Sequence, residues 1–445
     1  LEINSEECWA RVGAGIIAFD LQQAALKQGL RFSIGEAAAG VCANQVSTGI
    51  HSFFAYSKGL MAEHYYEAEV VTLEGEVVTI DSESAPEIAT RPQDQYQPKL
   101  PFICTQLKIK LYPVSDDETV AFIPFREMSE GLKILQDISE RRIGIGMGLV
   151  GIEVLAAFLS LTEEDAENVL DIMQHYLKIN QVIMMMLTET ELSQLQDLYP
   201  DLTFLCRDTM QQIIQGVPAI TGPESMALIE DVMDEERPYD HLFGDMREYF
   251  LRQIKLSGHE VSEVFSHLDS NGLRKAIERQ YFSEQYSDPK YWFNYRMFSP
   301  RFMRTHWFFS VMYFVDSDRP DLIEEICNKN KEFGKIHNIA NAFCYTMPID
   351  GGKRLFFEYE YFCNHRDPEM LKRLRKVFFL LAHSSNKMVR DEGAVYPVLN
   401  TLFNGMNKKE GRILAVDDNV DILFALRLLL KQHVEKIDTL ESPES

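Results

Sequence analysis

The feature that most constrains this chain is a rhythm of strands and amphipathic helices that occurs twice, over 117–187 and again over 307–387. In the first passage Thr119–Ile123 reads as a strand, and Phe125–Ser139 carries Met128, Leu132, Leu135 and Ile138 at helical spacing. A glycine-rich apolar stretch, Ile143–Leu161, follows and suits a strand pair turning at glycine. Thr162-Glu-Glu-Asp165 has the form of a capping box for a helix through Tyr176, and Gln181–Leu187 is an apolar strand. In the second passage Trp307–Val315 is a strand and Asp321–Phe333 a helix behind Pro320. Ala340–Pro348 and Arg354–Phe362 form a hairpin about Asp350-Gly351-Gly352. Asp367-Pro368-Glu369 then opens a helix to about Lys387, with Asp as N-cap and Pro in the first turn. Two such halves set their strands side by side in one antiparallel sheet, with helices on one face and a pocket over the other.

The order strand, helix, strand pair, helix, strand is the ferredoxin-like one, and the expected fold class is α+β. The first 115 residues add a smaller strand-rich region. Ala10–Phe19 reads as a strand before a short helix, Asp20–Gly29, stopped by glycine. Val70–Leu73 and Val77–Ile80 flank Glu74-Gly75, a two-residue hairpin signal. Ile103–Leu111 alternates Leu107, Ile109 and Leu111 with Lys108 and Lys110, as a half-buried strand does. Glu189–Tyr291 reads as helix-rich, with no recognisable chemistry.

At 445 residues the chain is long for one core, and 46% hydrophobic with 25% charged residues is globular composition. The net charge of −24 repels phosphate backbones and anionic headgroups, so nucleic-acid and polybasic membrane roles are excluded. Seven cysteines without a C-x-x-C pair fit buried thiols in a reducing, cytoplasmic setting. Ile143–Leu161 is long enough to be weighed as a membrane span, but Glu153 at its centre argues against one. The histidines show no H-x-x-x-H spacing, and no G-x-S-x-G elbow or phosphate-loop motif occurs. Gly146-Met-Gly-Leu-Val-Gly151 matches G-x-G-x-x-G, yet the dinucleotide fingerprint needs a strand before it and a helix after it.

The stretch Gly35-Glu-Ala-Ala-Ala-Gly-Val-Cys-Ala-Asn-Gln-Val-Ser-Thr-Gly49 resembles the second flavin-binding subdomain of the vanillyl-alcohol-oxidase (PCMH-type) family. Arg11–Ile16, Leu21–Leu30, Tyr56–Gly59, Glu69–Val78 and Gln106–Pro113 are similar to the elements around that motif. Tyr345–Cys363 and Gly393–Pro397 resemble the family's substrate-side sheet. Small side chains suit the chemistry independently, because only Gly or Ala lets peptide N–H groups approach a flat flavin ring. The resemblance implies FAD as cofactor, held by Ala39, Gly40, Val41, Asn44, Gly49, Ile103 and Thr105. It implies removal of hydride from an alcohol or 2-hydroxy acid, with Tyr396 and Glu358 as candidate catalytic residues. Glu358 and Glu360 alternate with Phe357 and Tyr359, a pattern also compatible with the solvent face of an antiparallel strand. Tyr345, Tyr359 and Tyr361 read as sheet packing.

Two departures shape the expectation. The family's glycine-rich pyrophosphate loop has no counterpart, so a homo-oligomer or a separate chain is expected to supply the missing lobe. The arginine usual near the substrate-side tyrosine is replaced around Val398, Leu399 and Asn400. A non-catalytic remnant or signalling fusion with a decayed flavin site is the alternative.

The tail Arg412–Leu430 resembles the first strand and helix of a response-regulator receiver, with Asp417 and Asp418 as its Mg²⁺-binding acidic pair. The expected organisation is a partial FAD-binding domain over 1–115, a ferredoxin-like cap over 116–406 and a truncated receiver-like segment over 407–445.

Overall fold

The computed structural model describes residues 1–37, 39–43, 52–61, 64–72, 74–81, 103–159, 166–167, 170–211, 288–296, 308–364, 367–392, 395–397, 409–416 and 434–440. The chain forms two compact units, Leu1–Val398 and Leu399–Ser445.

The first unit opens with β1 (Glu2–Asn4), β2 (Trp9–Gly13), α1 (Ala18–Leu26), β3 (Leu30–Arg31) and α2 (Ala55–Lys58). It continues with β4 (Tyr65–Val71), β5 (Val77–Ile80), β6 (Ile103–Lys110) and β7 (Tyr112–Pro113). Strands β1-β2-β6-β4-β5 make an antiparallel sheet in that order. The β4–β5 hairpin closes at Gly75, whose φ of 84° is the left-handed value glycine tolerates.

There follow β8 (Glu118–Phe125), α3 (Met128–Glu140), β9 (Gly146–Gly151), α4 (Ile152–Leu159), β10 (Gln181–Thr188), α5 (Glu189–Leu198) and β11 (Leu205–Cys206). Beyond them lie α6 (Pro289–Tyr295), β12 (Phe308–Asp316), α7 (Asp321–His337), β13 (Asn341–Ile349), β14 (Arg354–Phe362), α8 (Pro368–Glu392) and β15 (Val395–Pro397). Eight of these strands join in one antiparallel sheet, β11-β8-β10-β9-β13-β14-β12-β15. Helices α3, α4 and α7 pack on it, while α2 of the smaller region packs against β9 and β13. Helix α3 buries Leu132, Leu135 and Ile138 along one stripe. Helix α5 starts with a complete capping box: Thr188 Oγ1 accepts from the Glu191 N–H, and the Glu191 carboxylate accepts from the Thr188 N–H.

The glycine-rich stretch is not a strand pair. Gly146–Gly151 is one strand inside the large sheet, and a helix, Ile152–Leu159, follows directly. The G-x-G-x-x-G spacing sits within the ladder, paired to β10 and β13, so it is no phosphate loop. Its glycines serve close packing. A Cβ on Gly146 would lie 2.6 Å from the Phe53 carbonyl oxygen, and one on Gly151 would lie 2.1 Å from that of Phe343. Glu153 sits on α4, where Gln174 donates to it at 3.2 Å and burial holds its carboxyl above the usual range. No described helix is long and apolar enough to cross a membrane.

A buried ion pair joins the two-stranded β3–β7 sheet to the large sheet. Arg31 on β3 donates to Glu118 on β8, with both side chains under 5% exposed. Arg31 also lies 5.1 Å from the Phe54 ring centroid. Arg11 is likewise paired, to Glu67 at 2.8 Å.

His64 is a second buried polar junction. Its Nε2 lies 3.0 Å from the Gly59 carbonyl oxygen and its Nδ1 2.9 Å from the Tyr112 hydroxyl. The neutral ring satisfies both contacts by donating from Nε2 and accepting at Nδ1. Burial pushes its pKa from the usual 6.5 down to about 4. The unfolded chain therefore takes up the proton first as pH falls. Stability from neutral His64 is complete above about 6.5, is lost between there and about 4, and amounts to about 3 kcal/mol. Urea unfolding at stepped pH should show a steeper acid loss for the wild type than for His64→Asn; parallel profiles would refute this.

In the second unit β16 (Lys409–Val416) and β17 (Val434–Leu440) pair in parallel. Asp417 and Asp418 lie outside the described residues.

Candidate functional site

Two small-residue segments are knitted together beside the end of β6. The Ala14 N–H donates to the Thr105 carbonyl, Ala18 N–H to Ala39, Phe19 N–H to Ala37, and Val41 N–H to Ile16, all at 2.9–3.0 Å. Ile17 and Gly40 form a bridge. Val41 and Cys42 are buried beneath, while Ala39 and Gly40 are half-buried. A Cβ on Gly13 or Gly15 would meet nothing within 4 Å, and on Gly40 only the Ala14 carbonyl at 3.9 Å. Ile17 (40% exposed) and Ile103 (68%) present apolar surface around this open ground. Shallow backbone flanked by uncovered aliphatic side chains suits a flat aromatic group, which buries the apolar surface while meeting peptide groups edge-on. Thr105 donates from Oγ1 to the Glu69 carboxylate at 2.7 Å. Asn44 and Gly49 lie outside the described residues.

The large sheet brings a polar cluster to the same region. Glu358 and Glu360 are not on a solvent face: they are 5% and 0% exposed. Strand β14 is buried at every position from Leu355 to Tyr361, so both its faces are covered and alternation does not signify water. Tyr345 lies opposite Glu358 across the β13–β14 ladder, and Met312 on the other side. Arg296, 4% exposed, follows α6 in a left-handed conformation with φ of 47°. Its Nη2 donates to the Tyr345 hydroxyl at 2.9 Å, and its guanidinium carbon lies 5.3 Å from that ring's centroid.

Burial raises the Glu358 carboxyl pKa, opposed by a Ser310 hydrogen bond and the Arg296 charge. Burial also pushes the Tyr345 phenol up, again opposed by Arg296. Glu36, which precedes Ala37–Val41, acts electrostatically on both Arg296 and Glu358. The small-residue turn and the residues just before Arg296 both contact α1. A direct link runs through α1: buried Gln22 accepts from the Phe32 N–H at 3.0 Å and donates to the Asn294 carbonyl at 2.5 Å. The Phe19 and Tyr295 rings add a contact at 4.7 Å.

Arg296 is the residue that sequence reasoning missed. The sequence has no arginine at Val398–Asn400, which lie outside the described residues, and Arg296 comes about a hundred positions earlier. Asp288-Pro289 is an N-cap and first-turn signature that marks α6, but no local pattern foretells that its C-terminal end meets Tyr345. Tyr396 is on β15, paired with Phe314 of β12, and is separated from β14 by β12.

Residues 1–81 match the family model described as an FAD binding domain. FAD is the cofactor for which this lobe is built. The chain is similar in structure to p-cresol methylhydroxylase with substrate bound, at a TM-score of 0.54 and 11% identity, over 87% of this chain and 68% of that one. That likeness establishes a PCMH-type fold. Lower similarity extends to 4-ethylphenol oxidase from Gulosibacter chungangensis in its isoeugenol complex, at 0.49 and 14% identity over 87% and 68% of the two chains. Alkyldihydroxyacetonephosphate synthase follows at 0.44 and 13% identity over 86% and 60%. No curated protein sequence matches the chain.

Proposed function

We propose that this protein is an FAD-dependent oxidoreductase that removes hydride from the hydroxyl-bearing carbon of an alcohol or 2-hydroxy acid. The observation that carries the reading is the buried Arg296–Tyr345–Glu358 constellation in the same compact unit as the small-residue turn of an FAD-binding lobe. Ala39, Gly40 and Val41, with Ile103 and Thr105 on β6, hold the ring. FAD, when bound, supplies the hydride acceptor. Arg296 and Tyr345 grip an oxygen of the substrate; their donors are already oriented by the protein, so little reorganisation accompanies charge development. Glu358 takes the hydroxyl proton as the carbon–oxygen bond becomes a carbonyl. Arg11 and Arg31 play no part in holding the diphosphate, because Glu67 and Glu118 engage them.

The test is anaerobic mixing of the FAD-loaded protein with primary alcohols, phenolic alcohols and 2-hydroxy acids while the flavin band is followed. Bleaching by one class is expected, and Arg296→Met should slow it on the order of 100-fold with FAD content unchanged. Loaded protein that no class bleaches would favour a non-catalytic role instead. The tail is read as a receiver-like strand with Asp417 and Asp418 beyond its end, a resemblance the parallel β16–β17 pair is compatible with.

A further inference from the structure

We propose that Cys344, Glu358 and Glu360 form a binding site for one divalent cation of the zinc class within the large sheet. Glu358 and Glu360 are two positions apart on β14 and share a face. Their partner comes from a bulge: the β13–β14 register shifts between Phe343 and Tyr345, at Cys344. A bulge re-aims the side chain it carries, and here it brings a thiol to two carboxylates. One ligand atom from each of the three lies within 4.8 Å of the others. Ligands at about 2.0–2.3 Å from one ion sit some 3–4 Å from each other, so a small side-chain adjustment closes the set.

A second observation points to a missing ligand. Glu360 is fully buried; its Oε1 accepts from the Ser310 hydroxyl at 3.0 Å, but its Oε2 has no hydrogen-bond partner. A buried carboxylate oxygen without a partner is costly, and the groups beside it, the Cys344 thiol and the Glu358 carboxyl, are acidic. Charge leads the same way. With all three groups deprotonated the ligand set carries three negative charges, which one divalent ion would largely offset. A thiolate with two carboxylates suits zinc better than magnesium or calcium, which take oxygen ligands alone. Three protein ligands leave a fourth position for water.

The site shares Glu358 with the proposed function, on which its catalytic consequence rests: a cation there would fix that carboxylate in place opposite Tyr345. The test uses the full chain purified with FAD, loaded with zinc and dialysed. About one zinc per chain is expected, with an X-ray absorption edge showing one sulfur at about 2.3 Å and oxygens near 2.0 Å. Cys344→Ser should remove the sulfur shell, and Glu360→Gln should lower affinity at least 10-fold. Zinc should raise the melting temperature of the wild type but not of Cys344→Ser, a readout that survives if the glutamate variant fails to fold. Zinc-free protein after loading, a sulfur-free shell, or equal zinc in both variants overturns the proposal; the two carboxyls then share a proton. Zinc bound without flavin bleaching would sink the oxidoreductase reading alone, and bleaching by protein that takes up no zinc on loading would sink the metal site alone.

Discussion

Arg31→Met should destabilise the first unit by about 3–5 kcal/mol, the largest single-residue electrostatic effect expected in this protein. Taking one partner from a buried pair leaves the other charge in a medium that cannot solvate it. Glu118, 5% exposed, would keep the Ser115 N–H on its Oε1 at 3.1 Å and the more distant Lys58 and Lys290 charges, but no direct cationic partner among the described residues. Burial alone lowers the Arg31 pKa, and the Glu118 charge and hydrogen bond counter it, so the pair is mutually dependent. The geometry adds a mechanical consequence: β3 pairs with β7 at the edge of the FAD-binding lobe, while β8 belongs to the large sheet. Losing the pair should loosen the seam between them, so FAD content should fall along with stability. Chemical unfolding of Arg31→Met, Glu118→Leu and the double variant measures the effect. The double variant should recover most of the loss, because apolar side chains of similar size remove both charges together. A single-variant cost below about 1 kcal/mol would show the pair to be solvated, contrary to its burial.

Gly151→Ala should be comparably severe. The added methyl would lie 2.1 Å from the Phe343 carbonyl oxygen and 3.2 Å from its carbonyl carbon. The obstacle is backbone on the adjoining strand β13, which cannot rotate aside as a side chain can. Relief requires β9 and β13 to separate where the two halves of the large sheet meet. Overpacking of this kind costs about 1–3 kcal/mol where the core can yield, and the upper end or beyond is expected here. Gly15→Ala is the control, since its Cβ would meet nothing within 4 Å. Thermal unfolding of the two variants should separate them clearly; equal melting temperatures would mean that the sheet halves are not in such close register.

Both predictions concern features the sequence shows without explaining. Arg31 carries no local signal of a partner, and the glycines of 146–151 read as a turn or a nucleotide loop. Their purpose lies in what packs against them: Glu118 in one case, the Phe53 and Phe343 backbones in the other. Glu358 shows the same limit. Alternation along β14 distinguishes two faces, but both are buried from Leu355 to Tyr361, and only the packing of the folded chain reveals that.

The amino-acid order by itself determined the local elements. Period-two runs set β6 and β14, helical stripes set α3 and α7, Asp367-Pro368 set the start of α8, and Gly75 and Gly351 set two turns. Those signals are short-range, because backbone dihedrals and the apolar face of an element depend on neighbours within a few positions. Which charged groups meet was decided only by tertiary structure. Arg296 reaches Tyr345, the Glu36 charge acts on both Arg296 and Glu358, and Cys344 joins the glutamates through a bulge. The physical reason is that a buried polar group is selected for its partner across the fold, and periodicity records which side of an element is buried but not what lies opposite it.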